Sequence, residues 1–165
     1  MTEPLDNEIA TLLPRLRRFA RSLTFHREDA DDLVQSAIER ALEHGDQWQS
    51  GTRLDSWMFR IIKNRWIDEL RSRVRRDRLF APEEEGAQVG DDFAEAHQQQ
   101  LAIRKAMSLL SDEHRAVIAL VLVDGLSYKE AAEVLEIPIG TLTSRLARAR
   151  EALQGLLSDQ ARTVT

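Results

Sequence analysis

Between Gly140 and Arg150 the chain reads GTLTSRLARAR, which sets hydroxyls and guanidiniums along one prospective helix. Side chains of this kind recognise by hydrogen bonding and carry no covalent chemistry of their own. Arginine's planar fork suits a guanine edge or a phosphate, and serine or threonine suits either donor or acceptor. At 3.6 residues per turn, Ile139, Leu142, Leu146, Ala149 and Leu153 fall together and are expected to face inward. Gly140, Thr141, Ser144, Arg148 and Glu151 then face outward, with Thr143 and Arg145 on the flanks. A helix so presented can enter the major groove with its first residues at base edges.

The preceding stretch, LSYKEAAEVLEIP, supplies the element that would hold such a helix. Ser127 and Glu130 form a capping box that starts a short helix. Ala131 and Ala132 are small enough for a neighbouring helix to approach. EIP makes a tight turn, and Pro138 suits the opening of the next helix. For a bare helical pair, merely solvated arginines are the simpler reading. The cap, the turn length and the outward Ser/Thr/Arg set favour a DNA-binding helix-turn-helix.

A second stretch, RLDSWMFRIIKNRWIDELRSRVRRDR, holds 9 bases and 4 acids. Helical projection puts Arg60, Asn64, Asp68, Arg71 and Arg75 on one stripe, with Trp57 on its border. Bases attract phosphate, and an aromatic beside them can stack on an unpaired base. Tryptophan at helical spacing is more often core, which is the expectation for both Trp57 and Trp66. The basic stripe could also be a plain solvated face, with Asp68 paired to Arg71 or Arg65. Asn64 is an indifferent helix former centred in the stripe, where its amide could read a base.

Other chemistries find little support. The four histidines are scattered, no HExxH or glycine-rich phosphate loop occurs, and no metal or cofactor is expected. Asp31 and Asp32 are adjacent, so on a helix they diverge by about 100° and make poor partners for one ion. Cysteine is absent, which fits a reducing cytoplasm. The N-terminus lacks the pattern of a signal peptide, and no stretch approaches a membrane span. The expectation is a cytoplasmic chain, monomeric when free.

The net charge of −5 is unevenly placed. Residues 1–80 hold 15 bases and 14 acids, residues 81–100 hold 6 acids and no base, and residues 101–165 hold 8 of each. Removing the middle segment gives −5 + 6 = +1, so the acidity belongs to a linker. That segment, APEEEGAQVGDDFAEAHQQQ, reads as flexible, with an end that could already be helical.

The positioning elements read as amphipathic helices. Leu5, Ile9, Leu12, Leu13, Leu16, Phe19, Ala20 and Leu23 share one face, with a kink or break expected at Pro14. A second helix spans about Asp29 to Glu43, and a third about Leu54 to Arg76 on a stripe of Leu54, Met58, Ile61 and Ile62. A fourth runs from Leu101 to Leu110. In LSDEHRAVIALVLVDG, Ser111 is an N-cap and Gly125 a stop. The run Val117–Val123 is apolar on all sides and is expected at the centre of a bundle. The fold class is all-α: two small helical domains, residues 1–80 and 101–160, joined by the acidic linker 81–100.

DADDLVQSAIERAL, then LDSWMFRIIKNRWIDELR, an acidic linker, and LSYKEAAEVLEIPIGTLTSRLARAREAL together resemble the extracytoplasmic-function group of bacterial sigma factors. The likeness runs from about Leu12 to Leu157. It implies the two conserved sigma domains, regions two and four, and no catalysis. It also implies docking on core RNA polymerase through Asp31, Asp32, Leu33, Val34 and Gln35, with Glu39 one turn on. Capture of the minus-ten strand of promoter DNA falls to Trp48 and its loop, Trp57, Arg60, Lys63, Asn64, Asp68 and Arg71. Thr141, Thr143, Ser144, Arg145 and Arg148 match positions that read the minus-thirty-five element, and Arg115 matches a phosphate contact. An anti-sigma factor is implied as partner, since nothing in the chain senses a signal. A sigma-like mimic that sequesters an anti-sigma factor is the alternative; such mimics usually carry a regulatory domain, for which the chain leaves no room.

Overall fold

The computed structural model describes residues 3–48, 53–79 and 98–163. Among the described residues every regular element is helical. The first group comprises α1 (Glu3–Leu23), α2 (Arg27–Glu43) and α3 (Leu54–Leu79). Leu16, Phe19 and Leu23 from α1, Val34 and Ala37 from α2, and Met58, Phe59 and Ile62 from α3 close its core. The rings of Phe19 and Phe59 meet edge to face with centroids 5.0 Å apart, the geometry their quadrupoles favour. Phe59 was absent from the expected stripe, and Ile61, expected inward, is only half-buried.

No break occurs at Pro14, which lies inside α1. Proline costs a helix one backbone donor, here to the Ala10 carbonyl. Both residues are exposed, so water can satisfy the freed oxygen.

The second group comprises α4 (Gln98–Leu109), α5 (Asp112–Ile118), α6 (Tyr128–Leu135) and α7 (Ile139–Thr163). The acidic linker falls outside the described residues except for 98–100, which open α4. Ser111 caps α5, its hydroxyl accepting from the His114 N–H at 3.3 Å. The helix then widens over Ala119–Val123, where the Asp124 N–H reaches back five residues to the Ala119 carbonyl at 2.9 Å. Gly125 ends it at φ +70°, a conformation that glycine adopts without a Cβ clash. Val117–Val123 is therefore not central throughout: residues 117–120 are buried, while Leu122 and Val123 reach the surface. A π turn takes an extra residue, which carries these two out of the buried register. Ile139 is likewise exposed rather than inward. It opens α7 a turn before Leu142, the first buried position of that helix.

The two groups pack on one another through one continuous apolar cluster. The two small helical domains expected from the sequence are both present, and in this arrangement their cores meet in that cluster. Ion pairs cross the boundary. Arg18 donates through Nε and Nη2 to Asp124 Oδ1 at 3.2 and 3.0 Å. Arg53 pairs with Glu130, and Lys63 with Glu136 at 3.5 Å. Asp55 steadies this edge by accepting from Arg15 at 3.1 Å and from Arg53 at 2.7 Å.

Arg115 is the other tie. Expected as a phosphate contact, its side chain is buried in this arrangement. It donates to the carbonyls of Met107, Ser108, Leu110 and, across the boundary, Leu23, and to Asp112. Its guanidinium stacks on Phe25 at 4.8 Å. Burial lowers its pKa, with Asp112 pulling the other way. The carbonyls left open at the end of α4 need a donor, and this cation supplies it.

Arg115→Met should therefore destabilise the chain by about 2–4 kcal/mol, because buried carbonyls lose their partners; a thermal melt reads this directly. The Asp124 carboxyl is raised by burial, against the pull of Arg18 and Arg15. Its folded pKa exceeds the unfolded one, so its contribution is most favourable below the ordinary carboxylate range and declines as pH rises through the folded value. Asp55 is the reverse. Burial raises it, but the hydrogen bonds from Arg53, the Ser56 N–H and Arg15 win, and it is lowered. Its contribution is present at neutral pH and lost in acid. Thermal midpoints from acid to neutral pH should show Asp55→Asn costing stability mainly at neutral pH. Asp124→Asn should cost most in acid and lose that penalty as pH rises.

Candidate nucleic-acid interface

The helix-turn-helix is built as its sequence suggests, with one departure. Ser127 caps α6, accepting from the Glu130 N–H at 3.1 Å. Glu130 does not complete the box with its own side chain, because its carboxylate pairs with Arg53. Glu136 ends α6 in the left-handed region at φ 57°, a conformation strained for a residue with a Cβ. The turn is closed by the Ile137 N–H donating to the Ala132 carbonyl at 3.1 Å.

From there α7 presents Thr141, Thr143, Ser144 and Arg148 to solvent, while Leu142, Leu146 and Ala149 are buried beneath them. Thr143 turns its hydroxyl back to the Ile139 carbonyl at 2.9 Å. Arg145 is half-buried and lies 3.9 Å from Glu113. The first turns of α7 thus carry an uncovered hydroxyl and guanidinium at Ser144 and Arg148, four residues apart on one face.

The α3 stripe divides into two parts. Asn64, Asp68 and Arg71 are exposed, and neither ion pair considered for Asp68 forms among the described residues. Arg60 and Lys63 are not free. Arg60 donates to the Glu133 carbonyl at 3.4 Å and lies 4.0 Å from the Glu136 carboxylate. Lys63 is only 4% exposed and also faces Glu136. The end of α6 therefore covers the part of α3 assigned to strand capture. Trp57 is half-buried against the core, and Trp66 is buried within it. Trp48 is half-buried as well, and its indole N–H is buried without a hydrogen-bond partner. Its loop neighbours 49–52 lie outside the described residues.

On α2, Asp31, Asp32, Gln35 and Glu39 are exposed, and Leu33 and Val34 are buried. Gln35 and Glu39 approach one another at 3.5 Å. Asp29 is tied to Arg73 of α3 at 3.2 Å. The DDLVQ segment thus offers an acid-and-amide ridge over a fixed apolar base. No group of three or more potential metal ligands exists among the described residues, and no described helix is long and apolar enough to cross a membrane.

The residues that bind the two helix groups together, Arg18, Arg53, Asp124, Glu130 and Glu136, were not singled out as partners in the sequence. Asp124 before Gly125 reads as an ordinary turn, and no periodicity links it to Arg18, 106 residues earlier.

Residues 9–63 match the family described as Sigma2 domain of PhyR, and residues 100–153 match Sigma-70, region 4. The chain is 35% identical over 161 residues to the ECF RNA polymerase sigma factor EcfG of Rhodopseudomonas palustris, spanning 95% of this chain and 87% of that one. It is 34% identical over 143 residues to the ECF RNA polymerase sigma factor SigM of Mycobacterium tuberculosis, spanning 87% and 71%. The sigma factor RpoE of Bartonella quintana, solved in complex with the anti-sigma factor NepR, has a TM-score of 0.78 and 34% identity, covering 96% of this chain and 98% of that one. With relatives of that identity matched across most of both lengths, the chain belongs to the ECF RNA polymerase sigma factors.

Proposed function

We propose that this chain binds core RNA polymerase and directs transcription from a specific class of promoters, acting in the cytoplasm and without covalent chemistry of its own. The observation that carries the reading is the open face of α7, where Ser144 and Arg148 stand over a buried Leu142, Leu146 and Ala149. Together with Thr141, Thr143 and Arg145 this face reads the minus-thirty-five element. Asn64, Asp68 and Arg71, with Trp48, Trp57, Arg60 and Lys63, take the minus-ten strand. Asp31, Asp32, Gln35 and Glu39 dock on polymerase, with Leu33 and Val34 holding that ridge in place. An anti-sigma factor is the regulatory partner, as NepR is for RpoE of Bartonella quintana.

Transcription in vitro with purified core polymerase, followed by mapping of start sites, tests this reading. Specific starts are expected, and Arg148→Ala should weaken promoter recognition by about 1–3 kcal/mol if it makes a bidentate base contact. An equal loss on every sequence would assign Arg148 to phosphate. Absence of initiation would defeat the reading.

A second reading has one observation in its favour: residues 9–63 match the Sigma2 domain of PhyR. A protein acting as a decoy would bind an anti-sigma factor and leave core polymerase inactive, so the same transcription assay separates the two.

Arg60 and Lys63 cannot hold Glu136 and a DNA strand at once. Weakening the contact with Glu136→Gln should therefore raise the free chain's affinity for single-stranded minus-ten DNA. The gain should be modest, about two- to fivefold, because the Glu136 carboxylate is itself exposed and pairs to such a group are worth at most about 1 kcal/mol. Fluorescence anisotropy with a labelled oligonucleotide measures it, and unchanged affinity would remove α6 as the competitor.

A further inference from the structure

A cavity of about 420 Å³ opens where the turn between α1 and α2 meets α3 and the end of α4. Its size is that of a small-ligand site. The floor is apolar: Leu23, Leu33 and Trp66 are buried, and Leu70 is half-buried beside them. Ties on both sides hold the walls in place. Arg115 donates to the Leu23 carbonyl and stacks on Phe25. Opposite, Arg73 of α3 pairs with Asp29 of α2 and with Glu69. Three guanidiniums and three carboxylates line the space, and these ties account for four of the six. Asp32 and Arg65 are left. Asp32 is exposed, so water screens its charge. Arg65 is half-buried, with no ion pair or hydrogen bond among the described residues. A guanidinium held partly out of water beside an apolar floor calls for an anion.

We propose that this cavity binds a small apolar carboxylate, an aryl or short-chain acid, with its anion on Arg65 and its hydrocarbon body over Trp66 and Leu33. A carboxylate matches the guanidinium fork with two parallel N–H···O bonds. A neutral hydrocarbon would leave Arg65 desolvated and unpaired. A phosphate ester would bring more charge than one free cation meets and would leave the apolar floor uncovered. Ser108 and Arg115 belong to the second helix group, while the other lining residues lie in α1, α2, α3 or the turn between α1 and α2. A ligand seated here therefore touches both groups, and by mass action it favours their packed arrangement. That arrangement is the one in which Glu136 covers Arg60 and Lys63. The ligand is neither nucleic acid nor polymerase, so the site stands apart from the promoter-binding reading.

Calorimetric titration of the full chain with 3-phenylpropionate, octanoate and the neutral 3-phenylpropionamide tests the site without polymerase or DNA. Saturable binding of an acid is expected, with the amide weaker and the thermal midpoint raised by the acid. Arg65→Gln should weaken the acid about ten- to a hundredfold, the range for a hydrogen bond to a charged group, and leave the amide within about twofold. The unliganded variant should melt with the wild-type chain, because Arg65 ties down nothing. Arg17→Gln, at an exposed arginine that does not line the cavity, should leave acid binding unchanged. Several results would overturn the proposal: no saturable binding of either acid up to millimolar concentration, equal losses of acid and amide in Arg65→Gln, or the same loss in Arg17→Gln. If neither acid binds and Arg65→Gln instead weakens capture by core polymerase, the cavity belongs to a side chain of that partner.

Discussion

Charge taken out of water governs how the two halves of this chain meet. Among the described residues, each ion pair between them takes its base from α1, α3 or the residue before α3, and its acid from the second group: Arg18 with Asp124, Arg53 with Glu130, Arg60 and Lys63 with Glu136. Three of these pairs are partly exposed and individually weak. Asp124 is different, because its side chain is fully buried and one carboxylate oxygen has no hydrogen-bond partner. Removing a partner from a buried charge costs far more than the pair contributes when intact. Asp124 therefore makes the boundary specific more than it makes it strong. The apolar cluster that runs through both halves supplies the cohesion.

The same contact decides which functional surface is open. The end of α6, helped by the left-handed Glu136, points its carboxylate and the Glu133 carbonyl at α3. An acidic helix end has the sign of a phosphate backbone, and it meets two of the cations assigned to DNA. Thr141, Thr143, Ser144 and Arg148 on α7 stay exposed in the same arrangement. One arrangement thus leaves the duplex-reading helix uncovered while it covers part of the strand-capturing one.

Much of this was legible in the sequence where short-range rules apply. The caps at Ser111 and Ser127, the stop at Gly125 and the inward set Leu142, Leu146 and Ala149 each follow from residues within one or two turns of each other. At Pro14, where a kink or a break was expected, no break forms; helix rules alone do not say that Pro14 and Ala10 would both be exposed. The Val117–Val123 run misled because hydropathy cannot register a π turn. Arg115 could not be placed from sequence for a third reason. A cation can satisfy a phosphate or the carbonyl end of a helix, and the choice is made by Phe25, Leu23 and Met107, which are distant in sequence or unremarkable in type. The pairs across the boundary were illegible for the same cause, since only packing brings residues 18 and 124 together.

Arg115 also limits what the packed arrangement and a DNA-bound one can have in common. Four of its five acceptors, at Met107, Ser108, Leu110 and Asp112, belong to the second helix group and would travel with it if the halves separated. The fifth, the Leu23 carbonyl at 3.4 Å, and the stacked Phe25 would be left behind. Separation would thus free one donor of the guanidinium without unfolding the end of α4, and a phosphate could accept from that donor. Asp124 would lose Arg18 in the same step but regain water for both oxygens. A partner that binds the separated halves more tightly than the packed ones shifts the balance by that difference in affinity and by nothing else. The weak, exposed pairs on α3 keep the required difference small, while the buried Asp124 and the shared apolar core keep it from vanishing.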